Sequence, residues 1–267
     1  MKNLAVLSFL LIGQIVHAQS YGNNKDAGGY ASINGIQMYY EVYGKGEPLV
    51  LLHGNGGTIA GQRYRIDYFS KYYRVIAIDS RAHGKSIDTT SVLTYEMMAK
   101  DINDLLDVLQ VDSAYIWGQS DGAILALLLS IHYPDKVKKA AGFAANLRPD
   151  TTAVQPEIAT WAKEVYKNVK GKQKQLFSLL INHPNIPDSD LQKIRAPFMV
   201  MTGDRDAIRL THSIEIFNNI PTGFLFVMPA STHFGAYEHR EWFNLILHDF
   251  FRKDFHPMSS LDAFLQN

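Results

Sequence analysis

The sequence predicts an α/β fold: a mostly parallel sheet flanked on both faces by helices. Three observations predict it. Short, continuous apolar runs recur along the chain, and such runs mark strands buried on both sides. Stretches with helical spacing separate them, which is the alternation of a parallel sheet with crossover helices. The 267 residues, 46% of them hydrophobic, suffice for one large core, and no repeat, low-complexity tract or linker divides them.

The elements follow in order. "MKNLAVLSFLLIGQIVHAQS" opens with Lys2 and an apolar stretch from Leu4 to Val16, too short for a comfortable membrane span. Val16-His17-Ala18 ends in a small residue. Residues 1–18 therefore read as a cleavable signal peptide, and the protein as exported, to a periplasmic or extracellular site, with no stable membrane span after processing. Residues 19–267 form the expected domain. The chain has no Cys, so its core rather than disulfides must hold it together.

"GIQMYYEVYG" (Gly35 to Gly44) alternates and is aromatic, as in a half-buried strand of an N-terminal antiparallel hairpin. Buried strands are expected at "PLVLLH" (Pro48 to His53), "RVIAID" (Arg74 to Asp79), "YIWGQ" (Tyr115 to Gln119), "VKKAAGFAA" (Val137 to Ala145), "APFMVMTG" (Ala196 to Gly203) and "FLFVMP" (Phe224 to Pro229). Thr94 can cap a helix carrying Met97, Met98, Ile102, Leu105, Leu106 and Leu109. Ala123 to His132 is apolar nearly all round, so that helix is buried. Glu238 to Phe251 carries an amphipathic stripe through Trp242, Phe243, Ile246, Leu247 and Phe250.

Residues 149–193 break the alternation. Pro156 suits a helix start, and Ile158, Trp161, Ala162, Val165 and Val169 form one apolar stripe ending near Gly171. Leu176 to Ile181 can form a second helix before the Pro184 to Pro187 turn. A helical insertion of this length between two strands reads as a small cap. An ordinary crossover is the alternative, and the two differ in whether the stripe faces a pocket or only the sheet.

The chemistry centres on Gly118-Gln119-Ser120-Asp121-Gly122, between a buried strand and a buried helix. A Gly-x-Ser-x-Gly pattern arises by chance in about one chain in ten of this length, so the context carries the weight. Glycines at both ends let strand and helix approach around a strained corner, which lifts the Ser side chain toward the free N–H groups of the helix N-terminus. A serine hydroxyl needs a base to take its proton. His233 in "PASTHFGAYE" lies just past the last strand, and Asp206 in "MTGDRDAI" just past the preceding one. In a parallel sheet all three fall at the carboxyl ends of strands, where sites assemble. The glycine-rich turn of "LLHGNGG" follows another buried strand, so the backbone N–H of Asn55 can form an oxyanion hole with that of Asp121.

Taken together, "HGNGG" (His53 to Gly57), "DSRAHGKS" (Asp79 to Ser86), "GQSDGA" (Gly118 to Ala123), "GDRD" (Gly203 to Asp206) and "STHF" (Ser231 to Phe234) resemble the α/β-hydrolase superfamily, close to its esterase and lactonase-like members. The resemblance spans about Tyr30 to Arg252 and implies an α/β-hydrolase fold with triad order Ser120, Asp206, His233. The acid of relatives ends a Gly-x-x-Asp pattern, which selects Asp206 over Asp204. Ala82 departs from the family, whose members commonly have Gly there.

Other functions are disfavoured. Lys plus Arg equals Asp plus Glu at 26 each, so no basic surface suggests nucleic acid. "HGKS" lacks the earlier glycine of a phosphate loop, because position 79 is Asp79. The histidines show no metal-ligand spacing and no dinucleotide fingerprint follows the first strand, so no metal and no cofactor is expected. His53 and His83 sit in glycine turns and read as structural. The expectation is a secreted serine hydrolase of small carboxylic esters. Lactone or carbon–carbon bond hydrolysis on the same triad is one alternative; a small-ligand binding protein or receptor on this fold is another.

Overall fold

The computed structural model describes residues 20–88, 90, 92–254 and 259–265. The expected leader lies outside them. β1 (Gly28–Ile33) and β2 (Ile36–Tyr43) form the N-terminal hairpin, followed by β3 (Pro48–Leu52), β4 (Arg74–Ile78), β5 (Ala114–Gln119), β6 (Val137–Phe143), β7 (Phe198–Gly203) and β8 (Gly223–Met228). They make one sheet in the order β1-β2-β4-β3-β5-β6-β7-β8. β2 is antiparallel to both neighbours, and every pairing from β4 through β8 is parallel.

Strand side chains alternate between two cores, as a period of two requires. Val50, Leu52 and Ile116 pack on one face, against α2 (Tyr95–Val108) and α3 (Asp121–His132). Leu49, Leu51 and Trp117 pack on the other, against α1 (Arg63–Phe69) and a late helix carrying Phe243, Leu247 and Phe250. Thr94 caps α2 as expected, its Oγ1 accepting from the Met97 N–H at 3.2 Å. The first eleven residues of α3 are all buried, which is why its sequence has no polar face.

Residues 149–193 carry α4 (Pro156–Asn168), with Pro156 at its first turn, and α5 (Gly171–Asn182). Val169 falls just outside α4, and its buried residues are Ala159 and Ala162, while Trp161 is 54% exposed. The remaining helices are α6 (Leu210–Asn219), α7 (Gly235–Glu238), α8 (Arg240–Arg252) and α9 (Ser260–Leu265). The helix expected over Glu238 to Phe251 is α8, which carries the whole stripe from Trp242 to Phe250; α7 is a short turn ahead of it that ends at Glu238. α1 and α6 escape the apolar pattern because their buried faces include Arg65, His212 and Ser213. Among the described residues, no helix is long and apolar enough to cross a membrane.

The chain leaves β3 for β4 on one side and returns to β5 on the other. That reversal opens a crevice at the carboxyl ends of β3 and β5, the place where open α/β sheets bind ligands.

Candidate active site

Ser120 occupies the corner between β5 and α3 at φ 53° and ψ −117°, a conformation that costs a non-glycine residue on the order of 1–3 kcal/mol. Its neighbours explain how the corner closes. A Cβ on Gly118 would fall 1.9 Å from the Gly122 carbonyl oxygen, and one on Gly122 would fall 2.3 Å from that of Leu52. Only hydrogens fit there, so both glycines of the pattern are packing requirements.

The structure brings the three side chains from separate strand ends into one hydrogen-bonded line. Ser120 Oγ lies 3.0 Å from His233 Nε2, and His233 Nδ1 lies 2.8 Å from Asp206 Oδ1. A carboxylate only accepts, so Nδ1 carries the proton and Nε2 is left free to receive one. Asp206 is buried and anchored: it accepts from the N–H groups of Ile208 at 3.0 Å and Gly203 at 3.3 Å. Gln119 Nε2 donates to the His233 carbonyl at 3.1 Å and ties the histidine loop to the serine corner. Asp204 does not reach His233. It accepts from the Ser231 N–H at 3.1 Å and holds the β7 loop to the loop bearing the histidine.

The two expected oxyanion donors flank Ser120. Gly54 to Gly57 is a β-turn closed by a 2.9 Å bond from the Gly57 N–H to the Gly54 carbonyl, with Gly56 at φ 68°; its second residue, Asn55, makes no bond within the turn through its N–H. Asp121 is the first residue of α3, so its N–H has no acceptor inside the helix.

The Asp121 side chain does more than line the pocket. It is buried, accepting from the Tyr95 hydroxyl at 2.8 Å and from Asn55 Nδ2 at 3.0 Å. Burial pushes its pKa up, against the opposing pull of His83, Tyr95 and Asn55. Tyr95 carried no signal in the sequence, because a tyrosine in the first turn of a helix has no characteristic pattern.

His53 and His83 are structural, as expected. His53 Nδ1 donates to the Gly54 carbonyl at 2.8 Å and its Nε2 accepts from the Ser80 N–H at 3.1 Å. Burial lowers the pKa of each to about 4, so both are neutral at pH 7. Ala82 adopts φ 63°, left-handed backbone that glycine enters freely, which accounts for the glycine of relatives at this place.

A cavity of about 650 Å³ opens above Ser120, within the range of small-molecule sites. Ser120, His233, Asn55 and Asp121 form its floor. Ile158, Trp161 and Ala162 of α4 and Leu176, Phe177 and Leu180 of α5 line it, as do Phe234 and Tyr237 after the histidine. Val165 and Val169 of the expected stripe do not. Among the described residues no cluster of His, Asp or Glu has the arrangement of a metal site.

Comparison with known proteins agrees with this architecture. A family model described as the alpha/beta hydrolase fold matches residues 47–161. Human serine hydrolase BPHL is 25% identical over 248 residues, covering 82% of this chain and 84% of that protein. The 2-hydroxy-6-oxononadienedioate/2-hydroxy-6-oxononatrienedioate hydrolase of Burkholderia vietnamiensis is 25% identical over 264 residues, covering 82% and 92%. Among solved structures, the enol-lactonase from Burkholderia xenovorans LB400 superposes with a TM-score of 0.72 at 18% identity, covering 84% of this chain and all of that one. Sheet order, motif positions and relatives together show an enzyme of the α/β-hydrolase fold.

Proposed function

We propose that the protein is a serine hydrolase of small, uncharged carboxylic esters, acting through an acyl-enzyme. The observation that carries this reading is the unbroken line from Ser120 Oγ through His233 to Asp206, set beneath a largely apolar cavity. Ser120 Oγ attacks the ester carbonyl carbon as His233 Nε2 takes its proton. The N–H groups of Asn55 and Asp121 hold the resulting oxyanion, a contribution of roughly 10²–10³ in rate per donor. Collapse expels the alcohol, which takes the proton from His233. Water, deprotonated by the same nitrogen, then attacks the acyl-Ser120 ester and releases the acid. Asp206 orients the imidazole and stabilises its charged form throughout.

The cap reading of residues 149–193 rests on α4 and α5 lining the cavity. Lactones fit the same chemistry, since a lactone is a cyclic ester. Carbon–carbon cleavage of a dicarboxylate, the class named for the Burkholderia vietnamiensis relative, is less well served. Among the described residues no arginine lines the cavity, Lys163 is its one lysine, and the Asp121 carboxylate lies on the floor. Of two carboxylates buried there, Lys163 could pair with only one, and an unpaired buried charge costs several kcal/mol.

The test is turnover of activated neutral esters with fluorophosphonate labelling. The parent hydrolyses them and is labelled at Ser120, and Ser120→Ala loses both. Tight binding of a small ligand by a parent that turns over no ester would favour a receptor on this fold instead. The leader reading adds export, and mass spectrometry of the native protein should find its N-terminus at or near Gln19; an intact Met1 would overturn it.

A further inference from the structure

Resting on that reading of the site, we infer that the Asn55 side chain is a positioning residue that sets the oxyanion hole and registers it to α5. The turn of Gly54 to Gly57 contains three glycines, and its closing bond runs from the Gly57 N–H to the Gly54 carbonyl, so no backbone bond fixes the Asn55 peptide itself. The side chain does. One Nδ2 proton goes to Asp121 Oδ2 at 3.0 Å and the other to the Leu176 carbonyl at 3.3 Å. The amide has two protons and both are used. A carbonyl can only accept, so the nitrogen must face it and the amide cannot be turned over.

The consequence is geometric. The two residues whose N–H groups flank Ser120 are fastened to each other through their side chains. Asp121 is itself fixed from a third direction by the Tyr95 hydroxyl of α2 at 2.8 Å. Asn55 therefore joins the oxyanion turn, the start of α3 and the middle of α5. Leu176 also lines the cavity, so the helix that touches a bound acyl group is the one that braces the turn. Oxyanion stabilisation needs donors already placed where charge develops, and small misplacements are costly.

The experiment uses the full protein with a short and a medium-chain neutral ester, and an alkylboronic acid that forms a tetrahedral adduct on serine. Asn55→Ala keeps the N–H donor but removes its brace. Its kcat should fall by roughly 10–100-fold, less than loss of a whole donor. KM should change by less than about threefold, because Asn55 lies on the floor and the apolar side chains of α4 and α5 that would hold the acyl group are kept. Boronate affinity should fall in the same proportion as kcat, which a purely structural role would not produce. Asn55→Ser restores one donor toward Asp121 and should recover part of both losses. Asn55→Asp sets two carboxylates against each other and should be the worst of the three. Thermal melts separate misfolding from mispositioning, and Asn55→Ser keeps the test valid should Asn55→Ala fail to fold. Unchanged kcat and boronate affinity in both neutral variants, with Ser120→Ala inactive, overturns the clamp alone. Turnover that survives in Ser120→Ala overturns the reading of the site on which the clamp rests.

Discussion

Acid should destabilise this fold through two adjacent histidines. His53 and His83 pack with ring centroids 4.9 Å apart, both buried. Protonating His53 would set its Nε2–H against the Ser80 N–H that it now accepts. Protonating His83 would add a donor at Nε2, which is buried without a partner among the described residues. Burial accordingly lowers each from the ordinary 6.5 to about 4. Between those values the unfolded chain binds protons that the folded chain refuses. Stability is therefore complete above about pH 6.5 and is lost as pH falls toward 4. The gap of about 2.5 pH units amounts to roughly 3 kcal/mol per histidine at 1.36 kcal/mol per unit. Two such groups remove a large share of the ~5–15 kcal/mol of a typical domain. His212 and His248, lowered by burial, act in the same direction; Asp79 and Asp121, raised by burial, oppose it near the acid end. Urea unfolding at pH 7, 6, 5 and 4.5 measures the slope. His83→Gln can still donate to the Arg81 carbonyl, the present partner of Nδ1 at 2.8 Å, but does not titrate. Its stability should fall less steeply with acid than the parent's, by up to about 1.4 kcal/mol per pH unit. Parallel curves would refute the argument, since they would mean that His83 takes its proton as readily in the fold as outside it.

Three further outcomes are expected. Asp206→Asn should lower kcat toward ~10⁴-fold, because the amide no longer orients and stabilises the imidazolium, while Asp204→Asn keeps an acceptor for Ser231 and should cost less than about tenfold; the reverse ranking in steady-state kinetics would move the acid to Asp204. Ser120→Gly should be more stable than Ser120→Ala by about 0.5–2 kcal/mol in denaturant melts, because glycine relieves the strain at φ 53° by more than its ~0.5–1 kcal/mol entropy cost, and a glycine variant weaker than the alanine one would deny that strain. Trp161 lines the cavity edge-on to Phe177 at 5.6 Å, so Trp161→Ala should shift the optimum of kcat/KM toward longer acyl chains without affecting Ser120 labelling; superimposed chain-length profiles would mean that Trp161 only packs the cap on itself.

Much of this protein was legible in the sequence because its determinants are local. Buried strands such as "PLVLLH" announce themselves by continuous apolarity, and the crowding around Gly118 and Gly122 is a property of one strand-to-helix corner. Parallel topology then sends Ser120, Asp206 and His233 to the same edge of the sheet. Tertiary packing decided the rest. α6 was illegible because its buried face presents His212 and Ser213: His212 Nδ1 bonds Glu215 of the same helix at 2.8 Å, but its Nε2 is satisfied only across the fold, where the Leu147 N–H donates to it at 3.0 Å. Asp204 and Asp206 are two residues apart, and only the folded loop shows that one reaches His233 while the other holds Ser231. The link from Asn55 to Leu176 spans 121 residues and leaves no periodicity in either segment, because a hydrogen bond between distant elements requires only that both arrive at one place.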